Sequence, residues 1–180
     1  MRLLRTLALA TTLAVAATTA WAEDKANILL MDTKDGQITI ELNTKGAPNH
    51  AQRLKRLANE GFYDGLNFHR VIPGFMAQTG DPNGNGTGGS SLPDLKAEFT
   101  DTPFQRGTVG MARAQNPNSA NSQFFIMFAP APHLNGQYTV VGQVTDGMEV
   151  VDAIKKGSRA ANGAISGEPD KIVKMRTADQ

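Results

Sequence analysis

The stretch FHRVIPGFMAQTGD, Phe68 to Asp81, decides how this sequence reads. Two strand-like runs, over 66–72 and 75–79, flank the Pro73-Gly74 break, and a guanidinium, Arg70, stands among Phe, Val and Ile. A buried, unpaired charge costs several kcal/mol. Arg70 therefore needs either a carboxylate partner or a place at the wall of a pocket.

Outward from this stretch the same short-strand grammar continues. NILLMDTKDGQITIEL, Asn27 to Leu42, reads as two strands around Asp35-Gly36, with Ile38, Ile40 and Leu42 alternating against polar neighbours. Pro48 suits the first position of a helix that places Ala51, Leu54, Leu57 and Ala58 on one face and Arg53, Lys55 and Arg56 on another, and Gly61 marks its end. On this pattern His50 is an exposed helix residue. Further strands are predicted at 108–113, 123–128 and 138–144. A second helix is predicted from Gly147 to Lys156, with Asp146 and Glu149 spaced as a capping box and Gly157 beyond its end, and KIVKMR supplies a last strand. Many short strands, two helices and no βαβ alternation predict a mainly β chain, an antiparallel barrel in preference to a sandwich.

The first 22 residues read as a signal peptide. Arg2 and Arg5 precede an apolar run of 11 residues, Leu7 to Ala17, which closes on Ala20-Trp21-Ala22. That run is too short to span a bilayer, which takes about 18 to 20 residues. Cleavage after Ala22 leaves residues 23–180 as a single domain, exported to a periplasm, or secreted where the cell has no outer membrane. It also takes Lys plus Arg from 18 to 16 against 17 acids, so the mature chain lacks the basic excess of a nucleic-acid binder. The absence of cysteine removes disulfide, thiolate and zinc-thiolate chemistry.

Several other chemistries fail on context. Gly84-Asn85-Gly86-Thr87-Gly88-Gly89 satisfies G-x-G-x-x-G, but Ser90, Ser91 and Pro93 follow where a dinucleotide motif needs a helix. A loop shaping a site is the better reading. No G-x-S-x-G occurs, and His50, His69 and His133 show no metal-ligand spacing, so neither a metal nor another cofactor is expected. His69, adjacent to Arg70 and on the opposite face of its strand, reads as a hydrogen-bonded structural residue. What remains is polar groups set in apolar strands. In QFFIMF, alternation puts Gln123, Phe125 and Met127 on one face and Phe124, Ile126 and Phe128 on the other, and Met76 and Gln78 repeat the arrangement. One face is core and the other reads as a pocket wall.

FHRVIPGFMAQTGD, NGTGGS, GTVGMARA and SQFFI, in this order, resemble the exported bacterial cyclophilins, which are peptidyl-prolyl cis-trans isomerases, from roughly Asn27 to Arg176. The resemblance implies a closed eight-stranded antiparallel barrel with a helix capping each end. It implies that Arg70 is the catalytic arginine, accompanied by Gln78 and Phe75. Met76, Phe125 and Leu134 would complete the proline pocket, with Gln123 beside Gln78 holding the arginine and the substrate backbone. Ala112, Arg113 and Ala114 match the strand edge along which a peptide lies, opposite the loop at Gly86. His133 stands where many family members carry a Trp that helps bind cyclosporin, and Tyr138 replaces a common His at the rim. The implied partners are proline-containing segments of unfolded or folding exported proteins, met by a monomer without nucleic acid or membrane. The alternative is a proline-directed binding module or chaperone with little turnover.

Overall fold

The computed structural model describes residues 25–180; the predicted signal peptide lies outside them. Eight strands form one antiparallel sheet: β1 Ile28–Thr33, β2 Gly36–Leu42, β3 Arg70–Ile72, β4 Met76–Thr79, β5 Thr108–Met111, β6 Phe124–Met127, β7 Val140–Asp146 and β8 Lys174–Thr177. Their spatial order is β3-β4-β6-β5-β7-β2-β1-β8. Two α-helices pack against the sheet, α1 Pro48–Asn59 and α2 Met148–Ala153.

The sheet is open where a closed barrel was expected, because its end strands β3 and β8 do not pair with each other. The backbone that spans the gap lies before each of these strands. Gly65 N donates to Ile172 O, Ile172 N to Leu66 O and Phe68 N to Asp170 O, at 2.8 to 2.9 Å. Farther along, the outward amides of β8 are already engaged by side chains: Met175 N by Asp64 Oδ1 and Thr177 N by Asn59 Oδ1, both at 2.9 Å. On the outer side of β3, Val71 N donates to Gly163 O and Val71 O accepts from Gly157 N.

Period-two alternation splits the strands between two cores. The main core takes Leu29, Met31, Ile38, Ile40, Val71, Ala77, Val109, Phe124, Ile126 and Met175 from the sheet. Leu54 and Leu57 of α1 and Val150 and Val151 of α2 close it, α1 against β8 and α2 against β2. Met76, Phe125 and Met127, from the other face of β4 and β6, build a smaller cluster with Phe104, Leu134 and Val140.

Three local expectations change. His50 is wholly buried, and its Nδ1 lies 2.6 Å from Glu98 Oε2. Arg53 is buried too, donating to Pro93 O at 2.7 Å, because a loop from a distant part of the chain crosses this side of α1. The capping box does not form at α2. Gly147 is the N-cap at φ 85°, outside the extended backbone a capping side chain uses, and no side-chain cap bond is made.

Candidate functional site

Antiparallel register sets the site. Arg70 on β3 stands directly opposite Gln78 on β4, and Gln78 opposite Phe125 on β6. The guanidinium donates from Nη1 to Gln78 Oε1 at 3.1 Å. Gln78 Nε2 donates to Gln123 Oε1 at 2.9 Å, and Gln123 Nε2 donates onward to Gly88 O at 2.8 Å and Gly86 O at 3.2 Å. Each amide thus has its oxygen toward the arginine and its nitrogen toward the glycine-rich loop. The chain of bonds fixes both glutamines in one orientation.

A second clamp comes from the 158–164 loop. Arg70 Nε donates to Asn162 O at 3.0 Å and Nη2 to Asn162 Oδ1 at 2.8 Å. The loop reaches this close because residue 163 is glycine: a Cβ there would lie 2.6 Å from Ile72 Cγ1 and 3.2 Å from Arg70 Cγ. Burial holds the Arg70 pKa below its ordinary value, yet three anchored N–H groups leave the side chain charged and fixed.

Beside Arg70 opens a cavity of about 680 Å³. Phe75, Met76, Phe125, Leu134, Ala112 and Tyr138 give it apolar walls, which are the outer surface of the smaller core. Phe125 is held by ring packing, stacked on Phe104 and edge-on to Tyr138, each at 5.8 Å between centroids. Gly110 permits that arrangement, since a Cβ there would stand 2.4 Å from the Phe125 ring and 2.7 Å from that of Phe104.

The facing wall contains Gly84, Asn85 and Gly86, as expected of a loop that shapes a site. Beneath it, burial opposes ionisation of Asp81. Backbone N–H groups of Asn83, Gly86 and Asn85 outweigh that effect and hold its carboxyl below the usual range. His69 also lines the cavity, and both its ring nitrogens are buried without a hydrogen-bond partner among the described residues, contrary to the expected bonded role. Burial pushes its pKa down, against the pull of Asp81.

Of the predicted site residues, Arg70, Gln78, Phe75, Met76, Gly86, Ala112, Arg113, Phe125, Leu134 and Tyr138 meet at the cavity. Three are not among its lining residues. Gln123 supports Gln78, Ala114 donates its N–H to Ser119 Oγ at 2.9 Å, and His133 stacks on Phe75 at 5.7 Å. The sequence reading missed His69 as a lining residue and missed Asn162, Ala164 and Ile165 entirely. The Asn162-Gly163 turn pair was the available signal for the latter.

The chain matches the family model described as cyclophilin type peptidyl-prolyl cis-trans isomerase/CLD over residues 28–178. A protein of Brucella suis described as a probable peptidyl-prolyl cis-trans isomerase is 59% identical over 167 residues, 87% of this chain and 85% of that protein. Peptidyl-prolyl cis-trans isomerase B of Bacillus subtilis is 46% identical over 127 residues, 69% of this chain and 87% of that protein. Among solved structures, a Cryptosporidium parvum cyclophilin crystallised in the presence of the dipeptide Ala-Pro matches with a TM-score of 0.75 at 28% identity, covering 83% of this chain and 98% of that one. A cyclophilin from Hirschia baltica matches with a TM-score of 0.75 at 25% identity, covering 86% of this chain and 74% of that one.

Proposed function

The chain belongs to the cyclophilin-type peptidyl-prolyl cis-trans isomerase family, and from that premise we propose that it accelerates X-Pro rotation in exported proteins, with Arg70 as the donor to the prolyl nitrogen. The observation that carries the mechanism is the doubly clamped arginine beside an apolar cavity. A proline ring fits walls such as Phe75, Met76, Phe125 and Leu134, and its own nitrogen carries no N–H that such walls would leave unsatisfied.

The chemistry asked of this equipment is modest. Amide resonance sets a barrier of about 20 kcal/mol, which allows roughly 0.01 rotations per second. An ordinary enzymatic rate of about 10 per second requires some three decades more, or about 4 kcal/mol. As the C–N bond twists, resonance is lost and the lone pair returns to nitrogen, so a donor aimed there binds the twisted state better than either planar one. A fixed, charge-assisted N–H in a desolvated pocket supplies stabilisation of this order without nucleophile or proton transfer. Arginine suits the role because its planar fork is held by Gln78 and Asn162 while other N–H groups stay available; lysine has no such fork.

The site for export is residues 1–22, proposed to be removed as a signal peptide, which would put the enzyme in the periplasm among folding chains. The test compares isomerisation of a short X-Pro peptide by the mature chain from Glu23 and by its Arg70→Ala variant. Turnover is expected to fall more than tenfold in a variant that keeps the wild-type circular dichroism and melting behaviour. Near-normal turnover in the folded variant would refute the donor role, and peptide binding without turnover by the wild type would move the function to proline-directed binding.

A further inference from the structure

We propose, on the strength of the isomerase reading above, that this site selects prolyl segments flanked by acidic side chains. The cavity wall includes two arginines, Arg70 and Arg113, and no aspartate or glutamate. Neither arginine is in an ion pair among the described residues. Arg113 is fixed at the mouth: its Nη1 donates to Ala114 O at 2.9 Å, its Nη2 to Gln137 O at 2.9 Å, and its guanidinium lies 4.5 Å above the Tyr138 ring. Neutral carbonyls use its donors and leave its charge unbalanced. A third cation, Arg159, lies outside the lining but donates to Pro73 O, two residues before Phe75, and is likewise in no ion pair among the described residues.

The one carboxylate under the glycine loop, Asp81, is buried and fully engaged by backbone N–H groups. From residue 23 onward the chain has 16 Lys plus Arg (18 less Arg2 and Arg5) against 17 Asp plus Glu, so the positive rim is a local feature and not part of a generally basic surface. A cleft of one sign with apolar walls concentrates its potential on whatever enters. An anionic side chain next to the proline gains from that potential and a cationic one loses.

The experiment measures kcat/KM of the mature chain on matched peptides carrying Glu, Ala or Lys immediately before or immediately after the proline. It is run at ionic strengths of about 0.01 M and about 1 M, where the screening length falls from about 30 Å to about 3 Å. At low salt the Glu peptide is expected to exceed the Lys peptide at one flank or both by about threefold or more. High salt brings the ratio toward one. Arg113→Gln lowers the same ratio, which is read within each protein so that a general loss of activity cancels. A Glu-to-Lys ratio near or below one at both flanks at low salt overturns the proposal and leaves the isomerase reading intact. No isomerisation of any peptide overturns that reading and this proposal with it.

Discussion

Asn162 is the only non-glycine residue with a positive φ, 52°, among the described residues, and it gives Arg70 two acceptors, one from its backbone and one from its side chain. Asparagine tolerates this backbone region better than other side chains do. Two substitutions separate the contributions. Asn162→Gly keeps the backbone and removes Oδ1, so turnover is expected to fall severalfold with the melting temperature nearly unchanged. Asn162→Ala removes the same acceptor and adds a left-handed strain of about 1 kcal/mol, so it should lose the same activity and melt lower. Wild-type turnover in the glycine variant would show that Gln78 and the carbonyl of residue 162 position the arginine without Oδ1. At this scale the sequence was only partly legible. Arg70 and Gln78 are eight residues apart and face each other across one turn, so a hairpin reading finds them. Asn162 reaches Arg70 across 92 positions, Arg53 reaches Pro93 across 40, and His50 meets Glu98 across 48, and no local pattern records such pairings.

The strand β6 shows what periodicity does reveal. Its alternation correctly separates Phe124 and Ile126, in the main core, from Phe125 and Met127, in the smaller one beneath the cavity. The neighbouring β5 places Gly110 directly opposite Phe125, where the rings of Phe104 and Phe125 fill the space a side chain would take. Gly110→Ala is therefore expected to push the Phe125 ring out of its stack, lowering kcat/KM on X-Pro peptides severalfold and stability by about 1 to 3 kcal/mol. A crystal structure of the variant with Phe125 unmoved and activity retained would contradict this. Helix ends were less legible than strands. The Asp146/Glu149 spacing suggested a cap, but Gly147 turns the chain left-handed, its Cβ position 2.3 Å from Gln37 O, and tight packing against β2 prevails over the capping preference. The expectation of a closed barrel failed for a related reason, since the edge of β8 is taken up by Asp64 and Asn59 and that of β3 by the loop through Gly163.

Stability of the whole molecule should depend on pH through its buried imidazoles. Burial holds His50 and His69 below the ordinary value of 6.5, despite the pull of Glu98 on one and Asp81 on the other. The unfolded chain then binds protons that the folded chain refuses, so this contribution is complete above pH 6.5 and is lost as pH falls below it. The carboxyls of Asp81 and Glu98, also held below their ordinary values, add a second loss in the acid range. Thermal unfolding is expected to show a melting temperature that declines from pH 7 to pH 5 and more steeply below pH 4, with a shallower upper slope in His50→Gln. A flat profile from pH 7 to pH 5 would exclude the imidazole contribution. The covered ends of the sheet carry a further consequence for a protein whose proposed clients are unfolded chains. An uncovered edge is a template on which an extended segment can add itself as one more strand. Here that template is blocked on both sides by the molecule's own groups, so an extended segment finds no free edge of the sheet on which to add itself and seed aggregation.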